Sequence, residues 1–111
     1  MADVTLTVQD VARTGLDLTA AKTTVVTANN YFFANDGRTK LYVKNATGST
    51  CTVTVDVPTL VDGQAVTDRT VSVATAKEFE IGPFPQNWYN DGAGQVKVNF
   101  TQTVDIVAVR G

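Results

Sequence analysis

The chain has 111 residues, 43% apolar and 18% charged, with nine Lys and Arg against eleven Asp and Glu and no histidine. A net charge of −2, with basic residues scattered among acidic ones, leaves no cationic stripe for counterion release, so nucleic-acid binding is not expected. The missing histidine removes the usual general base, the Ser-His-Asp relay and the commonest zinc ligand, and no stretch approaches the ~18 apolar residues of a membrane span.

The opening Met-Ala-Asp-Val lacks the basic and apolar regions of a signal peptide, so the product is expected to stay in the compartment where it is made. Val4, Leu6 and Val8 alternate with Thr5 and Thr7, which puts one face of a short strand inward. The stretch from Val11 to Lys22 fits neither helical nor strand period; it is expected to be a loop or irregular edge segment with room for one helical turn. Two placements are open for the N-terminal residues. They form the first strand of the domain, or residues 1–22 are an extended arm that adds to a neighbouring sheet edge, with Val4, Leu6 and Val8 filling pockets there.

Tyr31, Phe32 and Phe33 are consecutive, so in an extended chain at least one ring points away from the others. Leu41 and Val43 then alternate with Tyr42 and Lys44, and Val53, Val55 and Val57 with Thr52, Thr54 and Asp56, up to a stop at Pro58. Val71 and Val73, Phe79 and Ile81 against Glu78 and Glu80, and Val96, Val98 and Phe100 against Lys97 and Asn99 continue the period of two. The last run, Val104 to Val109, is apolar on both faces, as a central or covered strand would be. Between these runs Asn35-Asp36-Gly37, Thr47-Gly48, Asp62-Gly63 and Asp91-Gly92 supply residues that tolerate positive φ or bond their own backbone, so each can reverse the chain. The prediction is an all-β single domain over residues 1–111: a two-sheet antiparallel β-sandwich of about eight strands with jelly-roll connections. Its core is predicted to hold Leu41, Val43, Val53, Val55, Val71, Val73, Phe79, Ile81, Val96 and Val98.

Little in the chain points to chemistry. Cys51 is the single cysteine, so no intrachain disulfide can form and a small apolar filler is expected. Glu78 and Glu80 sit two apart on one strand face, whereas paired glycosidase carboxylates flank a cleft from separate elements. Asp36, Asp62 and Asp91 each precede glycine, but no Asp-x-Asp-x-Asp-Gly spacing occurs and turn formation accounts for them. Asn45-Ala-Thr47 and Asn99-Phe-Thr101 match the glycosylation acceptor pattern by coincidence. No catalytic, cofactor or metal residue is expected and the chain is read as a non-enzyme. Surface recognition remains, with Phe84, Trp88 and Tyr89 grouped around Pro83 and Pro85 at an aromatic corner. The contact candidates are Val4, Leu6, Val8, Tyr31, Phe32, Arg38, Pro83, Phe84, Trp88 and Tyr89. Arg38 follows a turn with no nucleophile or base beside it, so it is structural or interfacial, its planar fork suited to a carboxylate on a neighbouring subunit.

The segment Phe33-Ala-Asn-Asp-Gly-Arg-Thr-Lys-Leu-Tyr-Val-Lys-Asn45, the Val57-Pro-Thr and Val66-Thr-Asp-Arg-Thr-Val71 stretches, Ile81-Gly-Pro-Phe-Pro85 and the Val-rich ending resemble the pattern of small structural proteins of tailed bacteriophages, the head decoration (capsid cement) proteins. The resemblance covers most of the chain from about residue 30 onward. It implies a virion protein on the outer surface of the icosahedral head, made in the host cytoplasm, that binds the major capsid protein and reinforces contacts between its subunits. By analogy it implies a homo-oligomer, a trimer, with no cofactor, nucleic acid or membrane involved. Two further readings stand beside it: a head-to-tail connector or tail component, and a carbohydrate-binding sandwich using Trp88, Tyr89 and Tyr31.

Overall fold

Alternating Val and Thr favour a pleated backbone on which β-branched side chains pack. In the computed structural model, which describes residues 3–10, 14–58, 60–65 and 67–110, strand accounts for 47% and helix for 7%, so the protein is all-β. In chain order the elements are β1 (Asp3–Leu6), β2 (Gln9–Asp10), α1 (Leu18–Ala21), β3 (Thr23–Thr24), β4 (Asn30–Ala34), β5 (Thr39–Lys44) and β6 (Cys51–Val55). Then follow β7 (Leu60–Val61), β8 (Gln64–Ala65), β9 (Arg69–Val73), β10 (Glu78–Ile81), α2 (Gln86–Tyr89), β11 (Gln95–Phe100) and β12 (Asp105–Arg110). Of the sequence readings above, Ala2, the start of the irregular segment at Val11 to Arg13, Thr59 and Val66 lie outside the described residues.

One sheet has the order β1-β4-β11-β6-β9; the other has β10-β5-β12-β2, with β3 also on β12. The antiparallel framework of β3, β4, β5, β6, β9, β10, β11 and β12 therefore forms two layers, β3-β12-β5-β10 and β4-β11-β6-β9. Along this framework the chain changes sheet at every connection except β6 to β9, which is the winding of a jelly roll. The small β7-β8 hairpin interrupts that one connection, its Asp62 and Gly63 at φ 53° and 74°, the conformation a two-residue hairpin loop requires. The other turn signals mostly carry the chain from one sheet to the other.

The expectation of wholly antiparallel sheets is corrected at the N-terminus. β1 pairs in parallel with β4 and β2 in parallel with β12, so both sheets are mixed. Parallel neighbours need a long connection, and residues 7–29 supply one between β1 and β4. Leu6 is buried, and Val4 and Val8 pack against the core from half-buried positions. Val4, Leu6 and Val8 thus take the first of the two placements in this structure and close their own sandwich; without them the β4 edge over Tyr31 and Phe33 would lie open.

Leu41, Val43, Val53, Val55, Val73, Val96 and Val98 are fully buried and Ile81 nearly so, as the alternation predicts. Two predicted core residues depart. Val71 is only partly buried, and Phe79 is 36% exposed although its cross-strand partner Val43 is fully buried. Both sit on edge strands, β9 and β10, which lie on the same side of the sandwich. Residues on the outer face of β12 are covered instead by the irregular segment. Val107 and Val109 are buried; Ala20 and Ala21 line one cavity with Val107, and Leu16 and Leu18 line another with Val109 and Tyr42. The expected single helical turn is α1, where Asp17 Oδ1 accepts the Ala20 N–H at 3.3 Å in the manner of an N-cap.

Candidate functional site

Where β9 and β10 fail to meet across the sandwich, a groove of about 870 Å3 opens between the two sheet edges. Arg69, Thr70 and Val71 of β9 line one wall and Phe79, Glu80 and Ile81 of β10 the other, while Pro83 to Pro85, Trp88 and Tyr89 close one end. That residues of both faces of each strand line it places the groove along the edges themselves.

The aromatic end is held by packing from below and by hydrogen bonds from the side. Phe84 is buried between Phe33, at 5.7 Å between ring centroids, and Tyr89, at 5.4 Å in a T-shaped arrangement, geometries that add to simple burial. Gly82 stands at φ +124°, and a Cβ there would come within 3.2 Å of Lys40 Cα and Thr39 O, so the chain can approach β5 this closely only as glycine. Asn35, from the β4 to β5 turn, is buried and donates its Nδ2 to Phe84 O at 2.9 Å and to Asn90 Oδ1 at 2.7 Å. Asn90 Nδ2 in turn donates to Asn35 O at 2.9 Å. The two sequence phrases around Asn35 and Pro83 thus form one hydrogen-bonded unit.

Arg69 Nε donates to Tyr89 Oη at 3.0 Å, fixing a guanidinium and a phenol together at the groove wall. At the neighbouring position Asp68 accepts the Val57 N–H at 3.1 Å through Oδ1. Burial, and then the adjacent Asp68 charge and hydrogen bond, push the Asp56 carboxyl above its ordinary range, against a smaller opposing pull from Lys97. On the outer face of β10, Tyr42 donates its phenol O–H to Glu78 Oε1. That bond, reinforced by burial and the carboxylate charge, pushes the phenol up to about 12.

Of the ten contact candidates, Pro83, Phe84, Trp88 and Tyr89 are brought together here. Phe84 and Tyr31 are corrected as contact residues, since both are almost wholly buried. Tyr31 Oη accepts the Val26 N–H at 2.7 Å and its ring meets Phe100 edge-on at 5.9 Å. Leu6 is core, and Val4 and Val8 lie against it. Phe32 is the outward ring of its triplet, half-buried opposite Thr5 and Lys97, three strands away from the groove. Arg38 is exposed at the far side of the Asn35 turn, with its guanidinium 3.7 Å from Asp36. The sequence reading missed Phe79, Asp68 and Arg69 at the groove. The signal for Phe79 was its place between two glutamates; nothing local marked β10 as an edge.

Among the described residues no group of three or more His, Cys, Asp or Glu side chains could hold a metal ion, and no helix is long and apolar enough to cross a membrane. Comparison of the chain with protein-family models, curated proteins and solved structures finds no match.

Proposed function

We propose that the chain is a non-enzymatic structural protein of a tailed-phage virion, a decoration protein that binds the outside of the head and ties neighbouring copies of the major capsid protein together. The observation supporting this reading is the joining of Asn35 to Phe84 and Asn90. The two phrases that carry the resemblance, distant in sequence, build a single rigid end of the sandwich. On that end Arg38 projects with its side chain 71% exposed and its guanidinium in a long pairing with Asp36, so its planar fork is available to a carboxylate on a capsid subunit.

The test is cosedimentation of the purified chain with expanded capsids that lack it. Saturable retention in many copies per particle is the expected result, weakened by Arg38→Ala. Absence of retention overturns the reading, and retention limited to one ring per particle supports a connector in its place. Sedimentation equilibrium of the free protein tests the proposed trimer.

A further inference from the structure

We infer that the groove between β9 and β10 binds a neutral oligosaccharide, a function that goes beyond the virion contact assigned to Arg38 and uses other side chains. Three kinds of group converge there. Phe79 and Trp88 are exposed to 36% and 43%, presenting ring surface at the rim, and Tyr89 is braced beside them on the buried Phe84. Asp68 and Arg69 bring a carboxylate and a guanidinium to one wall, and Glu80 lies at the rim of the other, between the groove and the outer face of β10.

A pyranose has an apolar C–H face and a girdle of hydroxyls that both donate and accept. Aromatic rings take the first, and carboxylates and guanidinium take the second in bidentate fashion. A volume of about 870 Å3 lies within the roughly 300–1,000 Å3 of small-molecule sites. Among the described lining residues two carboxylates stand against one guanidinium and no lysine, which leaves the groove slightly acidic and disfavours phosphate- or sulfate-bearing polymers. The arginine is also oriented in advance, its Nε held by Tyr89 Oη, so less ordering is needed when a ligand arrives.

Trp88 is the sole tryptophan, so its fluorescence reports on the groove directly. The full chain is titrated with maltohexaose, cellohexaose and N-acetylchitohexaose, with heparin as the anionic probe and an extended threonine-valine peptide as the strand-like probe. A saturable fluorescence change with at least one of the neutral hexasaccharides is expected in the millimolar range or below. By calorimetry, Trp88→Ala and Phe79→Ala are expected to weaken that binding about tenfold or more, the size of a lost aromatic anchor, while Arg38→Ala leaves it unchanged. Circular dichroism of each variant establishes that it is folded, and Glu80→Gln, at an exposed position, provides a second variant that weakens binding without touching the core. No saturable response to any of the three sugars, a response only to heparin or the peptide, or undiminished binding by folded Trp88→Ala overturns the inference. Capsid retention of Trp88→Ala separates the two proposals: it is expected to persist, and its loss without any sugar binding would assign the groove to the virion contact instead.

Discussion

Leu41 and Phe79 illustrate how the same alternation leads to different burial. Both point toward the core side of their sheet, yet Leu41 is fully buried in a central strand while Phe79 reaches the groove from an edge. Leu41→Ala is expected to cost about 2–5 kcal/mol, and Phe79→Ala about 1–2 kcal/mol because much of its ring already meets water. Urea unfolding of the two variants measures the difference; equal losses would mean that the groove is closed in solution. A second residue-scale expectation concerns Tyr42, whose phenol donates to Glu78. Of the three tyrosines, this one is expected to ionise near 12 in an ultraviolet titration, and Glu78→Gln should bring it back toward its ordinary value of 10.0. Because the folded value is raised, whatever stability the bond contributes is present below the ordinary value and lost as the pH rises through the raised one.

At the scale of elements, the N-terminal strands decide how the sandwich is sealed. β1 covers the edge of one sheet and β2 part of the edge of the other. β2 is tied by Arg110, which reaches Asp10 at 2.9 Å and Asp36 at 3.4 Å. These pairs are exposed and contribute little individually, so the sealing rests on Leu6 and the backbone ladder. Deleting residues 2–8 is therefore expected to lower the unfolding midpoint and to promote association through the bared β4 edge, read by thermal melts and size-exclusion chromatography. A deletion variant as stable and as monodisperse as the parent would favour the free-arm reading. The aromatic corner was legible as a rigid turn from Gly82, Pro83 and Pro85. Its fastening to Asn35 was not, because a side chain that favours turns by its own local bonding gives no sign of a partner 49 residues away.

Across the whole molecule, pH acts through two aspartates with opposite signs. Asp36 is held below its ordinary 3.8, first by the Arg38 backbone N–H and then by the nearby Arg110 and Arg38 charges. Its modest, solvent-screened contribution is present above 3.8 and lost as the pH falls through the lowered value. Asp56 is raised by burial and by Asp68, so the fold favours its protonated form, and that stabilisation disappears as the pH rises above 3.8. Asp56→Asn keeps a donor for Asp68 without the charge. It is expected to raise the melting temperature at neutral pH and to lose that advantage below pH 3.8; a pH series of thermal melts checks this, and a uniform or reversed effect would contradict it.

Strand faces, turn positions, the double-sided character of β12 and the all-β class were determined by the sequence itself, because period-two alternation and turn chemistry are local properties of the chain. Tertiary structure alone decided which strands became edges, and with that the fate of the aromatic residues. Tyr31 and Phe84 went into the core, Phe79 came out of it, and Trp88 and Tyr89 were brought beside Arg69 to form the groove. Alternation says toward which side of a sheet a residue points; whether that side is covered there depends on pairings between segments far apart in the chain, which no local pattern encodes.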